Sequence, residues 1–270
     1  SFFNREGNRR GNRFMNWIGM WTLTKREVGR FFSVYRQTVL PGLITTTLYI
    51  FIFGFTLQKR ITEIDGFPEI SYTLFILPGL IMMNTITNAS SNSSSSMLQM
   101  KLLQQLPDIL CAPLSSFEIS MAYIIGGAVR GFVNGVLVLL LGILFLGMPV
   151  VSPIQALGFL FIVSWAFSSM GLFLGQMADS WDKLATMQNF FLTPLSFLGG
   201  IFYSVQMLPS WAQTLSFVNP IYYMINGIRY TVLGVSDSPP EISFIMAIIM
   251  TILFTCAAVL LMKSGKKIKS

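Results

Sequence analysis

The side chains that could do chemistry in this 270-residue chain are few, and they lie within apolar stretches. Arg130 is the one charged residue of the apolar run 119–146. Asn84, Asn88 and Asn92 recur at steps of four residues, a spacing that places them on one face of a helix. Guanidinium and amide groups in such surroundings can bond to another helix, line a wetted path or bind an anion.

The residue types that catalytic and metal sites need are missing. Histidine is absent, which excludes His-based catalysis and zinc binding, and two cysteines, Cys111 and Cys256, cannot form a disulfide framework. The motifs GxxxxGK[ST], GxSxG and HExxH do not occur, so neither a P-loop ATPase nor a familiar hydrolase is expected. The sequence predicts no catalytic, cofactor-binding or metal site in this chain, and uphill transport would need energy from another protein.

The composition predicts an all-α integral membrane protein. Hydrophobic residues make up 53% of the chain and charged residues only 11%, too few to cover a soluble globule of this size. Continuous apolar runs of about 20 residues are typical of membrane-spanning helices, whereas an open sheet would leave unpaired amides in lipid. The predicted spans are residues 38–57, 71–92, 119–146, 154–176, 185–203 and 241–262.

The basic residues predict the orientation, because cytoplasmic loops retain positive charge. Of the 18 Lys and Arg residues, 14 fall on one side of the predicted spans, whereas Lys59, Arg60 and Arg229 fall on the other. Both termini are therefore expected in the cytoplasm, and nucleic-acid binding is not needed to explain the net charge of +7. Residues 1–13 are polar and lack the apolar stretch of a signal peptide, and residues 263–270 form a basic tail.

Two segments on the cytoplasmic side are predicted to be amphipathic. Residues 14–36 mix tryptophans with Lys25, Arg26 and Arg30, a composition typical of a helix that lies at the membrane interface. Residues 97–110 place leucines and Ile109 at helical spacing among Gln and Lys. That second helix could pack on its own bundle or dock a soluble partner, and periodicity alone favours neither.

Residues 204–240, on the outer side, contain two apolar stretches that are too short to span a membrane. Asn219 and Pro220 are typical of a helix start, and Gly234 is typical of a helix end. A re-entrant helical hairpin is therefore predicted, which could be a lid or an outer plug of the bundle.

The small and polar residues inside the spans leave several alternatives open. The asparagine face could be packing or path, and Arg130 could extend to the membrane surface or bind an anionic group. The two overlapping GxxxG steps formed by Gly127, Gly131 and Gly135 favour close helix packing within one subunit. Pro194, Gly199 and Gly200 loosen the fifth span before Phe202 and Tyr203, which could be a gate or membrane anchors.

Four sequence runs carry a resemblance to a known family. These are QTVLPGLITTTLYIFIFG (37–54), LPGLIMMNTITNAS (77–90), LTPLSFLGGIFYSVQMLP (192–209) and NPIYYMINGIRYTVLG (219–234). In this order and spacing the chain resembles the membrane subunit of type-2 ATP-binding-cassette (ABC) exporters, and it is most similar to the bacterial YadH-like branch. The resemblance extends from about residue 20 to the C-terminus.

The resemblance implies a six-span permease subunit of the bacterial inner membrane. Two copies would form the translocation path, surrounded by membrane lipids, and two copies of a separate ABC ATPase would bind ATP and Mg. The helix within 97–110 would contact that ATPase through Lys101, Leu102, Leu103, Gln105, Leu106 and Asp108. The first, second and fifth spans would line the path, with Asn84, Asn88, Phe197, Phe202 and Tyr203 near the substrate.

The cargo stays open at this point, because related branches move drugs, glycan polymers and lipo-oligosaccharides. An amphipathic cargo such as a lipid-linked glycan, a lipid or a drug is expected. By the same resemblance, the third span with Arg130 would lie away from the path. The alternative function is a passive membrane scaffold or assembly factor that recruits a soluble partner.

Overall fold

The computed structural model describes residues 15–55 and 70–265. The predicted polar tail 1–13, the outer loop with Lys59 and Arg60, and the last residues of the basic tail lie outside the described residues. The described ranges form helices joined by short turns and contain no strand. The all-α class is therefore confirmed for them.

Ten α-helices are found in residues 15–55 and 70–265. Their bounds are α1 Trp17–Ser33, α2 Tyr35–Tyr49 with a π-helical continuation Ile50–Phe55, α3 Tyr72–Leu102, α4 Leu106–Cys111, α5 Ser116–Leu146, α6 Pro153–Met177, α7 Trp181–Leu198, α8 Ser210–Val218, α9 Pro220–Leu233 and α10 Pro240–Ser264.

The bundle has two ends, which we call the α1 end and the α9 end. At the α1 end, Met20 of α1, Leu106 of α4 and Met262 of α10 belong to one apolar cluster. At the α9 end, the backbone amides of Val151 and Ser152 donate to carbonyls at the end of α9, at 3.0 and 2.9 Å. Helix α1 and the last turn of α10 thus lie at the same end.

Helices α3, α5 and α6 form the centre and touch through small residues. A Cβ on Gly131 of α5 would lie 2.6 Å from the Ala89 Cβ of α3. A Cβ on Gly171 of α6 would lie 2.2 Å from the Ser90 carbonyl oxygen, which is also on α3. Backbones this close exclude larger side chains, which is how membrane helices pack without a hydrophobic driving force.

Helices α2 and α7 are held far more loosely. Only Val39 and Thr46 are buried along α2, and only Leu184, Leu192 and Ser196 along α7. The remaining faces are largely exposed and rich in apolar side chains. An exposed apolar surface of this kind indicates contact with lipid or with another protein.

By length and composition, three of the described helices are apolar enough to cross a membrane: α5, α6 and α10. Their bounds agree with the predicted spans 119–146, 154–176 and 241–262 to within three residues. Helix α3 carries the Asn- and Ser-rich stretch 84–96, and the α-helical part of α2 has only 15 residues. The six-span arrangement therefore stays a proposal.

The predicted amphipathic helix at 97–110 is not one helix. Residues 97–102 are the last turns of α3, because Met97 and Leu98 are fully buried and continue its packed face. Gln104 then adopts a left-handed backbone with φ of 55°, which ends the helix. The short helix α4 starts afterwards with Pro107 in its first turn.

Of four other helix boundaries, two differ from the predictions and two match them. The interfacial helix predicted over 14–36 ends at Ser33, and the fifth span ends at Leu198 rather than at residue 203. The helix start at Asn219 is confirmed, since its Oδ1 accepts from the Ile221 amide at 3.0 Å. The end at Gly234 is confirmed by its φ of 78°.

Candidate coupling and translocation sites

The turn between α3 and α4 presents apolar side chains outward. Leu102 and Leu103 are 46% and 55% exposed, and Gln105 and Asp108 are exposed beside them. Leu106, by contrast, is 2% exposed because it belongs to the apolar cluster at the α1 end. Of the predicted coupling residues, Leu106 therefore cannot contact a partner without unfolding α4.

Lys101, another of the predicted coupling residues, is also buried, because its side chain is only 6% exposed. Its Nζ donates to the carbonyl oxygens of Ala178 at 2.7 Å and Gln176 at 3.1 Å, and lies 3.7 Å from Asp179. Gln176 is in the last turn of α6, and Ala178 and Asp179 lie in the connection from α6 to α7. Lys101 thus fixes the end of α3 to the end of α6 and to the connection that leads into α7, where Asp179 pairs with Lys183 at 2.5 Å.

Helix α1 carries a buried carboxylate, on its face toward the bundle, that the sequence analysis did not identify. Glu27 is 1% exposed and accepts a hydrogen bond from Ser96 of α3 at 2.5 Å. Arg26 Nη2 lies 3.1 Å from its other oxygen. Gly126 of α5 makes room, since a Cβ there would lie 2.6 Å from the Glu27 Cβ. In the sequence, the position of Glu27 one residue after Arg26 and three residues before Arg30 could have indicated an ion pair.

The asparagine face of α3 contacts three other helices. Asn88 donates to Asn84 Oδ1 at 2.9 Å and accepts from Arg130 Nε of α5 at 3.2 Å. The Asn84 amide lies against Gly42 of α2, where a Cβ would be 2.7 Å away. Asn92 accepts from Arg30 of α1 at 3.0 and 3.3 Å. The face thus joins α1, α2 and α5 within one chain.

The predicted glycine steps of α5 face α3. A Cβ on Gly127 would lie 2.5 Å from Ser93 Oγ, and one on Gly135 would lie 2.2 Å from Thr85 Oγ1. Together with Gly131 they form a side-chain-free seam in which Ser93 Oγ and Ser168 Oγ approach to 2.9 Å. The structure places all three glycines at contacts within the subunit.

The predicted aromatic residues meet α2 at the α9 end. Phe197 and Phe202 stack with ring centroids 5.9 Å apart, and Tyr49 of α2 lies 5.8 Å from Phe202. Tyr203 donates its hydroxyl to the Phe197 carbonyl at 2.9 Å. Ile201, between them in the chain, lies against α3, where a Cβ on Gly79 would be 2.8 Å from its Cα.

A buried ion pair stabilises the turn that follows α7. The sequence analysis did not identify it, because it counted Arg229 only as a basic residue of the outer side. Arg229 and Asp237 are 0% and 1% exposed, with 3.2 Å between Nη1 and Oδ2. Arg229 also donates to the Gly200 carbonyl at 2.8 Å, and Ser204 donates to Asp237 at 2.6 Å. The pair ties the glycine turn after α7 to α9.

Helix α7 also carries an exposed polar stripe that the sequence analysis did not identify. Thr186, Asn189 and Thr193 are exposed, and their spacing of three and four residues places them on one face. Among the described residues, the Asn189 side chain has no hydrogen-bond partner. Polar faces of this kind are stable in a membrane where they meet water or another helix.

Comparison with known proteins bears on these sites. Residues 19–233, from α1 to the end of α9, match the family described as ABC-2 type transporter. The chain belongs to the ABC-2 transporter family. It is 37% identical over 254 residues to the inner membrane transport permease YadH of Escherichia coli (strain K12), a match that covers 94% of this chain and 98% of the relative.

More distant relatives match a somewhat shorter part of the chain. Nodulation protein J of Sinorhizobium fredii is 25% identical over 217 residues, covering 79% of this chain and 80% of the relative. Nodulation protein J of Rhizobium leguminosarum is 24% identical over 221 residues, covering 82% and 83%. The predicted family is therefore confirmed, and transport permease is the function that membership in the ABC-2 family supports.

Proposed function

We propose that two copies of this chain form the membrane part of an ATP-driven exporter. Two copies of a separate ABC ATPase subunit bind ATP and Mg and hydrolyse the ATP. The observation that carries the proposal is a chain of contacts: Lys101 fixes the exposed Leu102–Leu103 turn to the connection that leads into α7, and α7 bears the exposed polar stripe.

The docking surface consists of Leu102, Leu103, Gln105 and Asp108. An apolar centre with a polar rim is the usual anatomy of a protein interface. The ATPase moves this turn when it binds and hydrolyses ATP. Because Lys101 joins the end of α3 to the α6–α7 connection, the start of α7 moves with it.

The translocation path lies between the two copies. The exposed faces of α2 and α7 form its walls, and a polar stripe in the membrane is stable only where it meets water or another helix. Phe197, Phe202 and Tyr203 border the path at the α9 end, and Asn84 and Asn88 lie where α2 meets α3. A cargo with both polar and apolar parts suits these walls.

The chain crosses the bacterial inner membrane six times through α2, α3, α5, α6, α7 and α10. The α1 end faces the cytoplasm, which places both termini there, and α1 lies at the interface among membrane lipids. Trp17 and Trp21 support this arrangement, because they are 63% and 64% exposed on the outward face of α1. Helices α8 and α9 form the re-entrant hairpin on the opposite side.

The docking surface is tested by the double substitution Leu102→Asp with Leu103→Asp. Two charges in the apolar centre should lower copurification of the ATPase subunit from membranes about tenfold or more. The matched control is Leu215→Asp on α8 at the other end, whose side chain is 52% exposed. A size-exclusion profile equal to that of the unsubstituted protein shows that the bundle stays folded.

Unchanged copurification in the double variant would refute the docking assignment. A passive scaffold makes a different prediction, because it would hold the ATPase without any cargo stimulating ATP hydrolysis in reconstituted vesicles. An amphipathic cargo that stimulates hydrolysis therefore separates the exporter from the scaffold.

A further inference from the structure

Two arginines approach the same face of α3 where α1, α3 and α5 meet. Arg30 of α1 donates to the Asn92 carbonyl at 3.0 Å, and Arg130 of α5 donates to Asn88 Oδ1 at 3.2 Å. Asn88 and Asn92 are four residues apart on α3, just over one turn, which is about 6 Å along the helix axis. The two arginines therefore bond to neighbouring positions on one face of α3.

The charges at this junction are not balanced. The Glu27 carboxylate is already occupied, with Arg26 at 3.1 Å and the Ser96 hydroxyl at 2.5 Å, and Arg30 Nε is 3.6 Å away. Among the described residues Arg130 has no acidic partner, and Arg30 repels its charge. The junction thus holds three guanidinium groups and one carboxylate, which pairs with Arg26 and Arg30.

Hydrogen-bond donors are left over at the same place. Arg30 Nε and Asn92 Nδ2 are buried without a hydrogen-bond partner among the described residues. Asn92 is itself 1% exposed. An unpaired buried donor is unfavourable by about 1–3 kcal/mol, and more when it is charged. An acceptor with negative charge would satisfy both groups and the positive charge together.

The site is reachable from the membrane surface. The Arg30 side chain is 33% exposed, and Arg130 is half-buried. Glu27 packs on Gly126 of α5. Arg130 is four residues further along α5, a distance of about 6 Å along the helix axis. Two exposed tryptophans on the outer face of α1 suit the depth of lipid headgroups.

We propose that Arg30, Asn92 and Arg130 bind the phosphate group of an anionic phospholipid in the leaflet that holds α1. Phosphate oxygens are acceptors that match the planar fork of arginine, and two forks side by side can hold one phosphodiester. The site would fix α1 to the bundle through a lipid. It requires only that the chain is embedded in a membrane, and so it stands or falls separately from the exporter function.

Native mass spectrometry of the delipidated protein in detergent tests the site, with phosphatidylglycerol as the titrated lipid. Arg30→Gln and Arg130→Gln should each weaken binding about tenfold, because each removes one charge-assisted hydrogen-bonding group. Lys25→Gln is the matched control, since Lys25 is exposed on α1 and the same charge is lost. Its affinity should stay within about twofold of the unsubstituted protein.

A further variant guards against misfolding. Arg130→Lys keeps the charge but not the fork, and should bind with an affinity between those of Arg130→Gln and the unsubstituted protein. Equal losses in all variants, Lys25→Gln included, would mean general surface attraction and overturn the site. Unchanged binding in both glutamine variants would overturn it as well.

The source of the phosphate is decided by competition. Inorganic phosphate at millimolar concentration should leave phosphatidylglycerol bound, because the acyl chains add binding energy in the detergent micelle. Complete displacement by inorganic phosphate would overturn the lipid assignment and make the site one for a soluble anion.

Discussion

At the scale of single residues, the ion pair of Arg229 and Asp237 places two charges in the interior of the bundle. Both side chains are almost completely buried, and Arg229 also lies over the Phe75 ring at 4.0 Å from its centroid. Breaking such a pair from one side leaves an uncompensated charge in a low-dielectric interior. The glycine turn after α7 depends on it, because Arg229 holds the Gly200 carbonyl.

Asp237→Asn should therefore destabilise the protein by about 3–5 kcal/mol. The measurement is the thermal midpoint of the detergent-solubilised chain. Asp108→Asn, an exposed carboxylate on α4, should leave the midpoint unchanged. Combining Asp237→Asn with Arg229→Met should recover part of the loss, and a double variant less stable than either single one would contradict this account.

The sequence could not reveal this pair, because a count of basic residues by side uses only their charge. Arg229 is buried through partners 8 and 29 residues away, Asp237 and Gly200, that meet only in the folded chain. The same holds for Glu27, whose burial depends on Gly126 of α5. By contrast, the face of Asn84 and Asn88 followed from local helical spacing, and its contacts agree with that spacing.

At the scale of helices, Lys101 fixes the end of α3 to the connection between α6 and α7. Its Nζ is shared by two carbonyl oxygens and by Asp179 in the α6–α7 connection. On the other side of the same turn, Leu102 and Leu103 are exposed. In the mechanism that we propose, ATPase binding and transmission of the movement depend on neighbouring residues that can be changed separately.

Lys101→Met should uncouple the two steps. The apolar stem is kept and the ATPase should still copurify, but the loss of charged hydrogen bonds should free the start of α7 at a stability cost of about 1.5–3 kcal/mol. Spin labels on Thr193→Cys in both copies measure the distance between the α7 helices. That distance should change with ATP in the parent and not in Lys101→Met; an equal change in both would reject the connection.

Helix prediction succeeded where local signals decide. Asn219, Pro220 and Gly234 set the bounds of α9 through capping chemistry, and those bounds are as predicted. The prediction of one helix over residues 97–110 was wrong, because Met97 and Leu98 are buried as part of α3, which extends to Leu102. Such an extension depends on packing against other helices, which periodicity in one segment does not report.

At the scale of the whole molecule, one chain leaves two of its long helices poorly covered. The exposed stripe of α2 includes Leu40, Ile44 and Leu48, and that of α7 combines apolar residues with Asn189. Lipid can cover the leucines but not the amide. A second copy is the partner that we propose for this surface.

Thiol cross-linking in native membranes tests that assembly. In a background with Cys111→Ser and Cys256→Ser, which removes two exposed thiols, Asn189→Cys should give a covalent dimer with a short bifunctional reagent. Leu144→Cys on α5, where the native side chain is 77% exposed, is the control and should stay monomeric. Equal yields at both positions on a non-reducing gel would argue against α7 at the dimer interface.

The unbroken course of α3 has a mechanical consequence. It is one helix of 31 residues, about 46 Å long, and it reaches from the Leu102–Leu103 turn to the contact of Gly79 with Ile201. In the six-span arrangement that we propose, a torque about the axis of α3 at one membrane surface would also turn side chains near the opposite surface. The helix would transmit this rotation directly along its length, with Pro78 near its first turns as the position where it could bend.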